Sequence, residues 1–472
     1  MKKITTIIAL ISFIITIDFD ARGGYQYQFL LPGVFLFTYI LLAPPFKSLG
    51  IGYQVLNIIW IIRYCLTPVL IRISDYQFKY YNNITSNDMN IALIVMILEM
   101  IIFIFSCNLI YRRLLRKSRI SKLPRNMNNI ILENNKTFKS VSATVIGIMF
   151  LLLILVLVLD PNAITGFNFI LSDNFQGIGN ASLGISVLIV SWTKITITVF
   201  LIAMFGVKDN TLHNPLNFWC SIIIVLISIS IFNGTSRNEV LIESLAYVYM
   251  LTQLFPKYRK RTIIICIGGL FSILLSMTIV RFFNTTNINE GLSNFNISNV
   301  IVLLNSYFAG QQNIAIGVIN LRLFFGEYHI LTIVKDLFTN TILLSNYVSK
   351  LDGLSTVEMF NFTIYGHSLW ADQISPTITQ AIGLFNIFSI FIPFILVYFI
   401  FKMDIISKNT SNIFGIFLAA FIAVNIAFYS PGNITILSTA ITNRFIPLFI
   451  IYKMSSIYLK RKEKGGSDLH KS

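Results

Sequence analysis

Charged residues are scarce in this 472-residue sequence, where they make up 12% of the positions while hydrophobic residues make up 55%. Soluble domains have about 25% charged residues, so this composition and a mean hydropathy of +0.74 exclude an ordinary soluble domain. Cysteine is also scarce: the four cysteines lie inside apolar runs without CxxC spacing. Neither a disulfide framework nor a metal site is indicated. The sequence also lacks a phosphate-cradling glycine-rich loop, an HExxH motif and a solenoid-period repeat.

Apolar runs of helix length are abundant instead. A helix of about 20 residues crosses the hydrocarbon of a bilayer, and on this basis the sequence has about twelve candidate spans. The first, Ile4–Ile17, could pass for a signal peptide, but no small-residue cleavage site follows it, so we keep it as a span. The other predicted spans are residues 28–43, 51–71, 91–110, 141–159, 183–205, 218–232, 239–255, 263–280, 381–401, 413–428 and 434–452. The predicted fold class is an all-α polytopic membrane protein.

The basic residues predict how the chain is oriented. A net charge of +16 could suggest nucleic acid, but the charges cluster in short loops between apolar runs, as membrane insertion requires. Basic loops stay in the cytoplasm. With both termini inside, the predicted cytoplasmic segments carry 25 of the 36 Lys and Arg residues. We therefore expect no nucleic-acid partner, and the basic run 112–125 is interpreted as a loop that contacts anionic lipid head groups.

One long polar interval, residues 281–376, interrupts the apolar runs. Loops of this length are usually functional or disordered, and the aromatic and aliphatic content of this one predicts a folded cap outside the cytoplasm. The predicted organisation is nine spans in residues 1–280, the extracytoplasmic cap in 281–376, three spans in 377–452 and a basic cytoplasmic tail in 453–472.

The segment Asn233–Glu239 joins two predicted spans and is the first candidate site. Ser236 followed three residues later by Glu239 is a capping-box pattern, which predicts Ser236 as the N-cap and Arg237 as the first helical residue. A cation at this position opposes the helix dipole, whereas an anion docked on the free amides would reverse that effect. Arg237 is therefore a candidate phosphate ligand. The alternative is an interfacial arginine that extends to water.

Arg281 lies at the matching position of the next predicted helix. The spans around the turn 256–262 form a helical hairpin, and Arg237 and Arg281 both lie about 18 residues from it, or about 27 Å at 1.5 Å per residue. Neighbouring helices pack about 8 to 10 Å apart, so the two guanidinium groups are expected to meet at the outer surface. The pair predicts a diphosphate clamp, the alternative being an accidental pair at the membrane border.

The end of the polar interval is another candidate site. His367 and Asp372 could act as acid and base, because histidine titrates near neutral pH; the alternative for His367 is a solvated loop residue. Trp370 could stack on a sugar, and Gln380 lies where the next span begins. Arg322, within the interval, is a further candidate ligand.

Charged residues inside the predicted spans form the last group: Arg63, Glu99, Lys194 and Arg444. A charge in hydrocarbon is costly and is a functional candidate by default, and we expect Lys194 and Arg444 to bind substrate. The alternative is that these charges pair with one another or contact backbone carbonyl groups.

In layout the chain resembles the Wzy-type polymerases, which join the oligosaccharide repeat units of bacterial O-antigen and capsule. The resemblance consists of the dozen spans, the long external interval late in the chain, the Gly-Thr-Ser-Arg turn that ends at Arg237, and His367-Ser368 ahead of Gln380 and Gly383. It implies a GT-C-like glycosyltransferase layout. It also implies that Arg237 and Arg281 are the essential external arginines, and that His367 corresponds to a loop histidine shared with O-antigen ligases.

The resemblance implies transfer of a growing glycan from undecaprenyl diphosphate to the next lipid-linked repeat unit, at the outer face of the bacterial cytoplasmic membrane. No nucleotide sugar, metal or other cofactor is implied. The implied partners are undecaprenyl-diphosphate-linked glycans, the bilayer, and the chain-length regulator and flippase of the same pathway. A second histidine and an asparagine expected in the ligases are absent, because Ser368 and Leu369 follow His367, and this departure favours a polymerase over a ligase.

Two other classes remain open beside polymerase and ligase. A lipid-linked oligosaccharide flippase or other secondary transporter would also have about twelve spans, but usually with short loops, internal repeats and broken central helices. A membrane acyltransferase would also use Arg and His, but with a cytoplasmic acyl donor.

Overall fold

The computed structural model describes residues 2–17, 24–45, 50–74, 76, 84–117, 135–160, 167–169, 184–207, 215–233, 237–270, 272, 297–342, 344–367, 374–410 and 412–454. The chain forms two compact units, each assembled from separate stretches of sequence. The first unit comprises Met1–Ile120, Asn294–Asp404 and Ala423–Ala440, and the second comprises Ser121–Ser293, Ile405–Ile422 and Ile441–Ser472.

The described part of the chain is almost entirely helical. In chain order the helices are α1 (Lys2–Ile17), α2 (Leu30–Leu42), α3 (Ile51–Ile61), α4 (Thr67–Ile73), α5 (Ser86–Lys117), α6 (Asn135–Leu159), α7 (Ile185–Val207), α8 (Pro215–Ser230), α9 (Arg237–Leu254), α10 (259–270), α11 (Ile297–Tyr307), α12 (Gln311–Leu323), α13 (Ile330–Phe338), α14 (Ser345–Val348), α15 (Thr356–Tyr365), α16 (Thr377–Phe385), α17 (Phe391–Asn409), α18 (Ile413–Tyr429), α19 (Ile434–Ala440) and α20 (446–454). The strands are β1 (Phe167–Phe169) and β2 (Ile231–Asn233). Two π-helical turns, Ile62–Leu66 and Ile441–Phe445, join α3 to α4 and α19 to α20, and the 3-10 turn Asn386–Ile390 joins α16 to α17.

Five helices of the described chain are long and apolar enough to cross a bilayer, judged by length and composition. They are Ile51–Ile73, Ser86–Leu114, Ile185–Phe205, Thr377–Asn409 and Ile434–Met454. Shorter apolar helices are Leu30–Leu42, Ala143–Leu159, Pro215–Ser230 and Ile413–Tyr429. The chain is therefore a helical membrane protein, as its composition predicts. The count of twelve spans stays a prediction. So do the orientation of the chain and the assignment of its segments to the cytoplasmic or the outer side of the membrane.

In the first unit, the start of α3 is stabilised by Asp404 of α17. The Asp404 carboxylate accepts hydrogen bonds from the backbone N–H groups of Gly50, Gly52 and Tyr53 at 3.1, 2.9 and 3.0 Å. These amides have no partner within the helix, and the helix dipole favours negative charge there. Gly52 also lies so close to Ala423 that a Cβ at position 52 would come within 2.7 Å of its methyl group. Any larger residue at position 52 would push α3 away from α18.

The described part of the polar interval folds into helices α11 to α15. Helix α12 is buried along most of its length and packs against α5. Its polar residues are hydrogen-bonded: Gln311 Nε2 donates to the carbonyl oxygen of Met89 at 3.0 Å, and Asn313 Nδ2 donates to that of Ile374 at 2.9 Å. This part of the interval is thus helical and packs against α5. The folded cap stays a prediction. Its location outside the cytoplasm stays a prediction.

In the second unit, α7 packs between α6 and α8, and aromatic stacking joins further helices. The Phe200 ring stacks on Phe414 with 5.6 Å between centroids, and Tyr247 stacks on Phe417 with 4.7 Å. The ribbon of β1 and β2 pairs antiparallel, with Asn168 opposite Phe232. The span predicted over 218–232 therefore ends as a helix at Ser230, because residues 231–233 pair as a strand and lead into α9.

Candidate functional site

Helix α9 begins at Arg237, as the capping pattern predicts. Glu239 lies in its first turn, where the helix dipole favours a carboxylate. Glu243 follows four residues later, so the two carboxylates lie on the same face of the helix. Ser236 and the side chain of Arg237 lie outside the described part of the structure, so the predicted N-cap stays a prediction.

Lys194 of α7 pairs with the second of these carboxylates. Its Nζ lies 2.9 Å from Oε2 of Glu243 and donates to the backbone oxygen of Ile231 at 3.0 Å. Both side chains are mostly buried. A charge-assisted hydrogen bond is strong in such surroundings because little water screens it. Lys194 thus links α7, the start of β2 and α9.

Arg444 pairs with the first carboxylate. It lies in the π-helical turn Ile441–Phe445, and its Nη2 is 2.5 Å from Oε1 of Glu239. A hydrogen bond of 2.8 Å from Trp192 Nε1 to the carbonyl oxygen of Asn443 holds the same turn. π-Helical turns inside α-helices occur frequently at functional sites. We call Lys194, Glu239, Glu243 and Arg444 the α9 charge cluster.

A chain of hydroxyl groups lies beside the α9 charge cluster. Thr198 Oγ1 donates to Ser228 Oγ at 3.0 Å, and Ser228 Oγ lies 3.4 Å from the hydroxyl of Tyr247. All three residues are buried. Because Tyr247 follows Glu243 by one turn of α9, polar groups continue from the cluster into the interior of the second unit.

The α9 charge cluster balances two cations against two carboxylates. Arg237, at the start of the same helix, adds one formal positive charge. The pair of Arg444 and Glu239 is more exposed than the pair of Lys194 and Glu243. Oε1 of Glu243 is buried and has no hydrogen-bond partner within the described ranges. Arg444 is therefore the cation of the cluster that is more accessible to an incoming ligand.

Arg63 and Glu99 also form an ion pair, within the first unit. Arg63 Nη2 lies 2.7 Å from Oε2 of Glu99, Nε donates to the carbonyl oxygen of Ala309 at 3.0 Å, and Nη1 donates to the hydroxyl of Tyr64 at 3.2 Å. Pairing and carbonyl contact, the alternative explanation for charges inside the spans, both apply to Arg63. Lys194 likewise has both kinds of partner.

Arg322 and Gln380, two predicted substrate ligands, have partners within the first unit. Arg322 forms an ion pair with the buried Asp88, while its own side chain is mostly exposed. Gln380 is buried: its Nε2 donates to Thr356 Oγ1, and its Oε1 accepts from the backbone N–H of Ile434 at 2.8 Å. Thr356 begins α15 and Ile434 begins α19. The Gln380 amide therefore holds two helix starts together, and its predicted role as a substrate ligand stays a prediction.

Asp336 of α13 belongs to the same network and was not predicted from the sequence. It accepts from the backbone N–H of Thr356 at 2.9 Å and from its hydroxyl at 2.5 Å. Burial raises the pKa of the Asp336 carboxyl to about 7, against the lowering effect of the two Thr356 hydrogen bonds, and the charge of Glu358 raises it further. Asp336 therefore changes its charge near neutral pH.

Of the residues predicted at the end of the polar interval, the structure describes His367. Its ring lies 6.0 Å from that of Tyr365 at an angle of 18°. Arg281, Trp370 and Asp372 lie outside the described residues. The predicted approach of Arg281 to Arg237, the acid and base roles of His367 and Asp372, and the stacking of Trp370 stay predictions.

The sequence contained a signal for two of the carboxylate partners. Glu239 and Glu243 are separated by four residues within an apolar run, a spacing that places two carboxylates on one helix face. Asp88 and Asp336 gave no such signal, because single carboxylates near helix ends are common on protein surfaces. Over the ranges that the structure describes, no group of three or more His, Cys, Asp or Glu side chains could hold a metal ion.

The long apolar helices and the charges between them define the class of this protein as a helical membrane protein. The chain matches no protein-family model, and no curated protein or solved structure matches it.

Proposed function

We propose that this protein is a Wzy-type polymerase, a membrane glycosyltransferase that joins undecaprenyl-diphosphate-linked oligosaccharide repeat units of O-antigen or capsule. The observation that carries the proposal is the α9 charge cluster together with Arg237, at the start of a helix in an otherwise apolar part of the chain. Charged residues within membrane helices mark substrate sites by default. The implied location is the outer face of the bacterial cytoplasmic membrane, with both termini in the cytoplasm.

The proposed ligand of the cluster is the diphosphate of the lipid carrier. Arg237 at the first position of α9 is unfavourable with respect to the helix dipole, and a bound anion removes that conflict. Arg444 forms an ion pair with the partly exposed carboxylate of Glu239. A half-exposed pair of this kind contributes little to stability, so Arg444 can exchange Glu239 for a phosphate oxygen at small cost. Lys194, held by Glu243 and Ile231, keeps α9 in place beside it.

The proposed reaction forms a bond between a hydroxyl oxygen of the acceptor sugar and the anomeric carbon of the donor glycan. The bond from that carbon to the lipid diphosphate breaks, and its electron pair stays on the diphosphate, where Arg237 and Arg281 stabilise the charge. The acceptor proton passes to His367 or Asp372. No metal takes part in this scheme. The chain-length regulator and the flippase of the pathway are the proposed protein partners.

The test of this function uses Arg237→Ala and Arg281→Ala in cells that depend on this chain for polymer. Loss of a donor to a developing anion costs on the order of 10² to 10³ in rate, so single repeat units should remain on the carrier while the long-chain ladder disappears. Arg→Lys at either position should restore only part of the ladder, because lysine keeps the charge but loses the bidentate fork.

The matched control is Arg259→Ala, which removes an exposed arginine from α10 after the 3-10 turn that follows α9 and should leave the ladder unchanged. Membrane amounts of all variants are compared by immunoblot. Ladders of normal length and amount from both Arg237→Ala and Arg281→Ala would refute the diphosphate clamp.

A transporter is the second candidate, and interrupted spans favour it. π-Helical turns occur within the candidate spans Ile51–Ile73 and Ile434–Met454, and a 3-10 turn occurs within Thr377–Asn409. Broken membrane helices are typical of substrate sites in secondary transporters. The same variants separate the two functions: a failed flippase accumulates repeat units on the cytoplasmic side of the membrane, whereas a failed polymerase accumulates them on the outer side.

A further inference from the structure

Helix α13 buries polar residues, while none of its apolar residues is fully buried. Its buried residues are Thr332, Lys335 and Asp336. Ile330 is 75% exposed, and the other apolar residues of the helix are exposed or half-buried. In water the hydrophobic effect favours the opposite arrangement. The orientation of α13 thus points to an apolar environment on its outer side.

Hydrogen bonds fix α13 in this orientation. Asp336 accepts from Thr356, and its own carbonyl oxygen accepts from Ser438 Oγ at 3.2 Å. Thr332 Oγ1 donates to the carbonyl oxygen of Glu327 at 2.9 Å, and Lys335 Nζ donates to that of Gly353. Rotating α13 to bury its apolar face would break all of these bonds. The same rotation would turn the polar groups outward, where surrounding hydrocarbon would offer them no hydrogen-bond partners.

Helix α13 lies next to a candidate span that exposes large apolar side chains. Tyr328, just before α13, packs so closely on Gly383 of α16 that no Cβ would fit there. One turn further along the same span Thr377–Asn409, Ile387 is 79% exposed and Phe388 is also exposed. Ser438, the hydroxyl partner of Asp336, lies in the candidate span Ile434–Met454. α13 therefore packs directly against two helices that belong to candidate membrane spans.

Charged side chains flank this apolar surface. Arg322 and Glu327 precede α13 and Lys350 follows it, and all three are exposed together with the apolar Phe325 and Tyr347. Mixed charged and aromatic residues beside an apolar helix face are typical of the membrane interface, where long side chains reach the head groups.

We infer that α13 and its flanking turns lie in the membrane interface, with lipid acyl chains covering the apolar face of α13. This part of the polar interval is then embedded in the bilayer surface and does not stand above it as a water-exposed cap. The helix lies along the surface, as amphipathic interfacial helices do, but its polar side faces protein instead of water. This inference is independent of the proposed glycosyltransferase activity.

The test measures what touches α13 in the full-length protein. Two variants are made, Ile330→Cys and Val334→Cys, each combined with Cys220→Ser. Cys220 is replaced because it is partly exposed, whereas the other native cysteines, Cys65, Cys107 and Cys266, are buried. A nitroxide label is attached, and the protein is reconstituted into vesicles of phosphatidylethanolamine and phosphatidylglycerol. Collision of the label with oxygen, which partitions into lipid, is compared with collision with a water-soluble nickel chelate.

Ile387→Cys is the control at an exposed apolar position of a candidate span, and Asp352→Cys is the exposed control outside the spans. At positions 330 and 334 the ratio of oxygen to nickel accessibility should match that at position 387 and exceed that at position 352 several-fold. A ratio equal to that of position 352 would show water on this face and would overturn the inference. Low accessibility to both reagents would show a protein cover, from a second copy or another partner, and would overturn it too.

Discussion

Two candidate spans carry an arginine in a π-helical turn, and each arginine pairs with a glutamate from another helix. Arg63 lies in Ile62–Leu66 and pairs with Glu99, with side chains that are 2% and 1% exposed. Arg444 lies in Ile441–Phe445 and pairs with Glu239, with side chains that are 22% and 39% exposed. The same residue types in the same local structure therefore occupy different environments.

The difference separates a structural pair from one that can bind a ligand. Arg63 also donates to the carbonyl oxygen of Ala309, which has a φ of +48° in the turn between α11 and α12. A non-glycine residue in this region is uncommon, and the buried guanidinium stabilises the turn. Opening the pair would leave an unpaired charge in a low dielectric. The pair of Arg444 and Glu239 is more exposed, and we expect its cation to be able to change partner.

The largest expected effect comes from Arg63→Ala. It leaves Glu99 buried without its cation, which typically costs about 3 to 5 kcal/mol. We expect little folded protein in the membrane and a strongly lowered Tm in detergent, measured by size-exclusion chromatography and thermal unfolding.

The double variant Arg63→Met with Glu99→Leu is the control for that experiment. Replacing a buried ion pair with apolar residues of similar volume is often neutral, so the double variant should recover much of the lost stability. The structural interpretation of Arg63 fails if the single variant unfolds at the wild-type temperature.

Arg444→Ala should separate stability from activity. Because the pair with Glu239 is half-exposed, its loss should cost at most about 1 kcal/mol of stability. Under the proposed function, polymer formation should fall on the order of 10² to 10³, measured as ladder length and amount at equal protein level. Lys402→Ala, which removes a cation that lies over the Tyr398 ring, should leave both quantities near wild type. Loss of the folded protein in Arg444→Ala would remove the contrast with Arg63.

The smallest expected effect concerns Asp336. Its carboxyl is buried and its partner Thr356 is neutral, whereas Glu99 and Glu239 are paired with arginines. Its pKa is raised to about 7 in the folded state, so the folded protein binds a proton more tightly than the unfolded chain. Its contribution to stability is therefore present below the unfolded pKa and is lost as pH rises through about 7.

The Tm of the wild type in detergent should decrease as the pH rises from about 5 to about 8. Asp336→Asn should reduce this slope of Tm against pH. Asp352→Asn, at an exposed carboxyl, is the control and should leave the slope unchanged. An identical slope in the wild type and in Asp336→Asn would assign the titration to another group.

The positions of the five long apolar helices could be predicted because each apolar run is itself long enough to form a helix. The start of α9 at Arg237 could be predicted because a capping pattern involves neighbouring residues only. The end of α8 was predicted two residues too late, because residues 231–233 pair with β1, which lies far away in the sequence. The hydrogen bonds of Gln380 could not be predicted, because its helix-start partners Thr356 and Ile434 come from distant segments of the chain. Its predicted role in substrate binding stays a prediction.

The sequence by itself determined that this chain is a helical membrane protein and which charges lie inside its apolar runs. Only the tertiary structure decided that Lys194 meets Glu243, that Arg444 meets Glu239 and that α13 turns its apolar face outward. The physical reason is that the cost of placing a charge among apolar residues depends on local sequence. The partner that offsets this cost comes from another helix, and helix packing decides which one.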